Sequence, residues 1–148
     1  MKKNFISLAF TCAFLFPLSA MAQEHYTERS VSRVLLLAVT PGKMNAFLGD
    51  LAENLKPVLD DEKQQGLISS YQVSLNTTKE TPEDWDVAIA IQYKNMAALD
   101  GLTAKTDALS LKHYGSKEAR QSATDRRVEL AHLVGSRLTR QITLKQRL

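Results

Sequence analysis

An α+β fold, with one antiparallel four-stranded sheet carrying its helices on one face, is what this sequence predicts. Three observations predict it: segments of strand length that alternate or run apolar, longer segments that repeat apolar residues every three or four positions, and their order β-α-β-β-α-β with one direct strand-to-strand connection.

The first strand is expected at residues 31–40, VSRVLLLAVT, rich in β-branched and aliphatic side chains and stopped by Pro41-Gly42. Val31, Leu35, Leu37 and Val39 make one apolar face, and Val34, Leu36 and Ala38 the other, so this strand should be covered on both sides. Thr40 is placed to cap the following helix, with Pro41 in its first turn. In that helix Met44, Phe47, Leu48, Leu51, Leu55, Val58 and Leu59 recur at helical spacing, and Gly66 supplies a left-handed stop. Pro57 removes one backbone bond within it and bends it. The run Asp60-Asp61-Glu62-Lys63 reads as a solvated tip, because neighbouring helical residues point in different directions.

Residues 67–76 form the second strand, with Leu67, Tyr71, Val73 and Leu75 alternating with Ser70, Gln72, Ser74 and Asn76. A polar connection over 77–84 leads to WDVAIAIQY, residues 85–93, where Trp85, Val87, Ile89, Ile91 and Tyr93 alternate with Asp86, Ala88, Ala90 and Gln92. Asn95 then caps a short helix, and residues 103–116 read as helical turns and loop. A longer helix is expected over 117–134, ended by Gly135. Its apolar stripe of Ala119, Ala123, Leu130 and Val134 includes Arg127, a charge that needs a partner or a route to water. Residues 137–145 complete the sheet, Leu138, Ile142 and Leu144 inward and Arg137, Thr139, Gln141 and Thr143 opposite.

The N-terminus has Lys2 and Lys3, an apolar run from Phe5 to Leu18 and Ala20-Met21-Ala22 before Gln23, the pattern of a cleaved signal peptide. The expected organisation is a signal peptide over 1–22, a flexible leader over 23–30 and a single domain over 31–148, delivered to the periplasm with no transmembrane segment after cleavage. Cys12, the sole cysteine, lies within the apolar run, so the mature chain carries no disulfide, thiolate nucleophile or cysteine-ligated metal. Loss of Lys2 and Lys3 takes the net charge from +3 to +1, which excludes a strongly basic nucleic-acid binder. The charge is uneven, net −4 over 23–116 and net +5 over 117–148, as expected of complementary solvated surfaces.

Little catalytic chemistry is assembled. His25, His113 and His132 have no carboxylate at ligand spacing, so no metal site is expected; no phosphate-cradling glycine loop and no G-x-S-x-G occurs, so no cofactor and no catalytic residue is assigned. The informative feature is the second sheet face, made of Val34, Leu36, Ala38, Ser70, Gln72, Ser74, Ala88, Ala90, Gln92, Thr139, Gln141 and Thr143. A solvated face would show Lys, Glu and Arg in its middle. This composition suits packing on another sheet, which one domain of this length lacks and a second copy supplies, so a homodimer is expected.

The element order, the turn "VTPGKMNAFL" and the strand-to-helix junction "IQYKNMAALD" resemble the dimeric α+β barrel superfamily, which includes antibiotic-biosynthesis-type monooxygenases and muconolactone isomerases. The resemblance spans about residues 31–144. It implies ferredoxin-like subunits that pair their sheets into a barrel, with pockets between sheet and helices. Some members use an Asn, a Trp and a His around one pocket; Trp85, in line with Val87 and Ile89, reads instead as core or rim. The expected function is binding of a small apolar or aromatic molecule near Tyr71, Gln92, Tyr93, His113 and Arg137. The alternative is a cofactor-independent monooxygenase or isomerase acting on a small aromatic substrate, with His113 or Tyr93 assisting proton transfer.

Overall fold

The structure, a computed structural model, describes residues 25–146; the signal-peptide segment lies outside the described residues. Four strands, β1 (Tyr26–Val39), β2 (Ser70–Leu75), β3 (Val87–Tyr93) and β4 (Ala131–Leu144), form one antiparallel sheet in the order β2-β3-β1-β4. Helices α1 (Met44–Asp50) and α2 (Lys56–Gln64) follow β1, joined by a π-turn at Leu51–Leu55. A 3₁₀ turn (Met96–Leu99), α3 (Leu102–Tyr114) and α4 (Lys117–Leu130) separate β3 from β4. This is the ferredoxin-like β-α-β-β-α-β arrangement, with the second helical segment divided in two.

Several boundaries differ from expectation, each for a tertiary reason. The segment expected as a flexible leader is strand from Tyr26 onward. Tyr26, Thr27 and Glu28 pair with Leu144, Thr143 and Ile142, and the Glu28–Arg140 ion pair and a bond from Arg29 Nε to Thr143 Oγ1 fix that end. Thr40 does not cap α1. Its hydroxyl donates to the Glu129 carbonyl, and Pro41-Gly42 form the centre of a turn closed by Lys43 N–H to Thr40 C=O, with Gly42 at φ 78. That turn needs a positive φ at its third residue, which glycine adopts without strain.

Pro57 acts through the π-turn. The Lys56 N–H bonds to Leu51 C=O, widening the turn just upstream of the proline, and Pro57 then sits at the start of α2. A wider turn relieves the clash between a proline ring and the carbonyl four residues earlier. The helix stops as expected at Gly66, where Gly66 N–H bonds Lys63 C=O and Leu67 N–H bonds Glu62 C=O. The second half departs further. Residues 103–116 are nearly all helix, and the helix expected to reach residue 134 ends at Leu130. Ala131, His132 and Leu133 instead pair with Val39, Ala38 and Leu37, and Gly135 stands in the ladder opposite Leu36 rather than ending a helix.

The helix-facing row of the sheet runs through Val31, Arg33, Leu35 and Leu37 of β1 and their partners Tyr93, Ile91, Ile89 and Val87 of β3. Phe47 and Leu51 pack on Val87, Ile89 and Ala131; Leu59 and Ile68 pack on Val31 and Tyr93. Phe47 and Val87 are fully buried, each such side chain worth about 2 kcal/mol of transfer free energy. Arg127 finds a partner rather than snorkelling: its Nε bonds Asp50 Oδ2, and the Tyr114 hydroxyl beside it donates to Asn54 C=O. This ties α4 and α3 to α1 and the π-turn.

None of the described helices covers the opposite face. Across it runs a directional chain in which Ser70 Oγ donates to Gln92 Oε1, Gln92 Nε2 to Ser30 Oγ, and Ser30 Oγ to Gln141 Oε1. All four strands contribute one residue.

Candidate ligand-binding cleft

A cleft of about 310 Å³ lies between the helix-facing row and the helices. Its floor is Arg33 and Leu35 of β1 with Ile91 and Tyr93 of β3. Leu55, Val58, Leu59 and Glu62 form one wall, and Leu99, Leu102, Thr103 and Thr106 the other. The floor exists because alternate residues of two paired strands point the same way. The first wall exists because residues 55, 58, 59 and 62 share one helix face. Apolar walls with few polar groups at this volume suit a small organic molecule.

The polar groups are Arg33, Glu62, Tyr93, Thr103 and Thr106, and Thr106 bonds its own helix backbone at Thr103 C=O. Glu62 is buried, 7% exposed, and its carboxyl group makes no hydrogen bond or ion pair with any described residue; burial pushes that carboxyl above the usual range. Burial also pushes the Tyr93 hydroxyl up, Arg33 opposing this and Glu62 adding to it. Tyr93 thus feels charges of both signs. Arg33 is exposed and also lines the cleft.

The five residues expected to surround a ligand do not converge in this chain. Tyr93 lines the cleft. Tyr71 is on the same face but donates its hydroxyl to Asp60 Oδ1 and borders a separate depression with Leu48, Leu51 and Lys56. Gln92 and Arg137 are on the opposite face, Gln92 within the hydrogen-bond chain and Arg137 bonding the Ser136 carbonyl. His113 is exposed on α3, its ring edge-on to Tyr114. Trp85 is half-buried just before β3 and does not line the cleft.

Of the four polar cleft residues outside the sequence-predicted set, Glu62 and Arg33 carry a signal in the sequence. Glu62 follows Leu55, Val58 and Leu59 at helical spacing, so it extends the apolar stripe rather than belonging to the solvated tip. Arg33 interrupts the inward row of Val31, Leu35 and Leu37. Among the described residues, no group of three or more His, Cys, Asp or Glu is placed to hold a metal ion, and no helix is long and apolar enough to cross a membrane.

Comparison with known proteins returns structures and no families. No protein-family model matches the chain, and no curated protein does. Among solved structures it is similar to a dimeric ferredoxin-like protein from an uncultured marine organism, at 9% identity and TM-score 0.47 over 82% of this chain and 93% of that one. It is also similar to a dimeric ferredoxin-like protein of unknown function from Jannaschia sp. CCS1, at 14% identity and TM-score 0.42 over 76% and 97%. A third, a dimeric protein of unknown function with a ferredoxin-like fold from Bacteroides fragilis NCTC 9343, matches at 15% identity and TM-score 0.38 over 78% and 96%. The fold assignment stands on the strand order and connections themselves.

Proposed function

We propose that this protein is an exported, homodimeric α+β barrel that binds a small, mainly apolar molecule in the cleft between its sheet and helices. The observation that carries the binding reading is the cleft itself: apolar walls from β1, β3, α2 and α3 around a buried carboxyl with no protein partner. Export rests on the signal-peptide pattern of residues 1–22. The homodimer rests on the helix-free sheet face. Its hydrogen-bond chain pairs Ser70, Gln92, Ser30 and Gln141 with one another, and the small and aliphatic Val34, Leu36, Ala38, Ala88 and Ala90 beside it suit packing on a second sheet.

Native mass spectrometry of the mature protein from its own compartment tests both parts. A dimer with a stoichiometric extra mass is expected; a folded monomer at micromolar concentration sinks the barrel, and an empty cleft that takes up no small molecule sinks the binder. Ala90→Arg, which drives a charge into the proposed contact, should split the dimer.

One observation favours a second reading. A buried carboxyl and a tyrosine hydroxyl that line one cleft supply the general base and the proton donor that a proton-shuttling isomerase requires. That reading demands turnover which Glu62→Gln abolishes while ligand binding persists.

A further inference from the structure

Two other carboxylates set well into the protein, Asp50 and Asp86, each have a cationic partner. Asp50 is held by Arg127, and Asp86 by Lys79 together with the Val39 N–H. Glu62 is as buried as either and has none: Lys63 beside it is exposed, and Arg33 across the cleft makes no ion pair with it. Every fully enclosed side-chain polar atom among the described residues has a hydrogen-bond partner, so the Glu62 oxygens are not sealed in protein but meet the cleft. A carboxylate shielded from most of the water around it and without a counter-charge carries a cost, and a cation supplied from the cleft reduces it.

Resting on the cleft as the binding site, we infer that its ligand is an apolar monoamine, the ammonium seated on Glu62 and the hydrocarbon body lying among Leu59, Ile91, Leu99 and Leu102. The aliphatic walls have no other use for a charged ligand. Arg33, exposed and lining the same cleft, disfavours a second positive charge there, so a diamine is rejected. The volume is at the lower end of small-ligand sites, roughly 300 to 1,000 Å³, which limits the body to a short chain or one ring.

The test is an NMR titration of the full mature protein with n-hexylamine, n-hexanol and hexanoate, three probes of one body and different heads. Hexylamine should bind at least about tenfold tighter than the other two, shifting the Ile91, Leu99 and Leu102 methyl signals. Glu62→Gln should erase that preference while hexanol binding persists. Binding of all three with equal affinity, a preference for hexanoate, or an amine preference that survives in Glu62→Gln overturns the amine assignment and leaves the cleft standing. No shift of those methyls with any probe overturns the cleft reading as well. The ranking in the unmodified protein decides the matter even if the variant fails to fold.

Discussion

Strands β3 and β4 carry the same kind of message and meet opposite fates. Val87, Ile89, Ile91 and Tyr93 alternate along β3, and Leu138, Ile142 and Leu144 along β4, with inward-facing spacing in both. In β3 the inward residues are buried or half-buried, whereas Leu138, Ile142 and Leu144 are 48%, 44% and 74% exposed. The reason is position. β3 is paired on both sides, under α1 and α2, while β4 is an edge strand whose far half runs beyond the helices beside the extended start of β1. Alternation states which face is apolar, and neighbours decide whether that face is dry.

The difference is open to direct attack. Ile89→Ala should cost about 3 kcal/mol in denaturant unfolding, as a cavity in a packed core does, while Ile142→Ala should cost under about 1 kcal/mol in the isolated chain. A large, concentration-dependent loss at Ile142 would mean that a second copy covers β4.

A smaller effect is expected where β3 begins. Asp86 Oδ2 accepts from the Val39 N–H at 2.8 Å and Oδ1 pairs with Lys79, stapling β3 to the end of β1. Desolvation would raise this carboxyl, but Lys79 and the Val39 amide outweigh it and hold it below the usual range. Its contribution is therefore present above the unfolded carboxylate range and lost as pH falls through the lower folded value. Asp86→Asn should cost about 1 to 2 kcal/mol near neutrality and converge on the parent at low pH.

The smallest effect has the opposite sign. The Glu62 carboxyl is raised by burial, so the folded state holds its proton longer, and stability falls as pH rises from the unfolded value through the folded one. Glu62→Gln should leave the unliganded protein slightly more stable at neutral pH and unchanged at low pH. Thermal unfolding across that range reads the sign; a less stable Gln variant at neutral pH would place a hidden cation beside Glu62.

The sequence by itself determined the element order, the first helix with its stop at Gly66, the Asn95 cap, and which residues share each sheet face. These depend on local geometry: a period of two or 3.6, a glycine free to adopt positive φ, a side chain three residues from an amide. Tertiary structure decided the rest. Residues 26–30 became strand because the end of β4 was there to pair with, and α4 stopped at Leu130 because Val39, Ala38 and Leu37 offered partners to the next residues. Of the residues the sequence singles out, Tyr93 lines the cleft, whereas Glu62 sits in a charged run that reads as a solvated tip and Arg33 is one charge in an apolar row. Strand alternation sends Gln92 and Arg137 to the opposite sheet face, Tyr71 shares the cleft's face but is drawn to Asp60, and His113 lies exposed on α3. A cleft is the gap between elements that are distant in the chain, so its membership is set by how those elements pack.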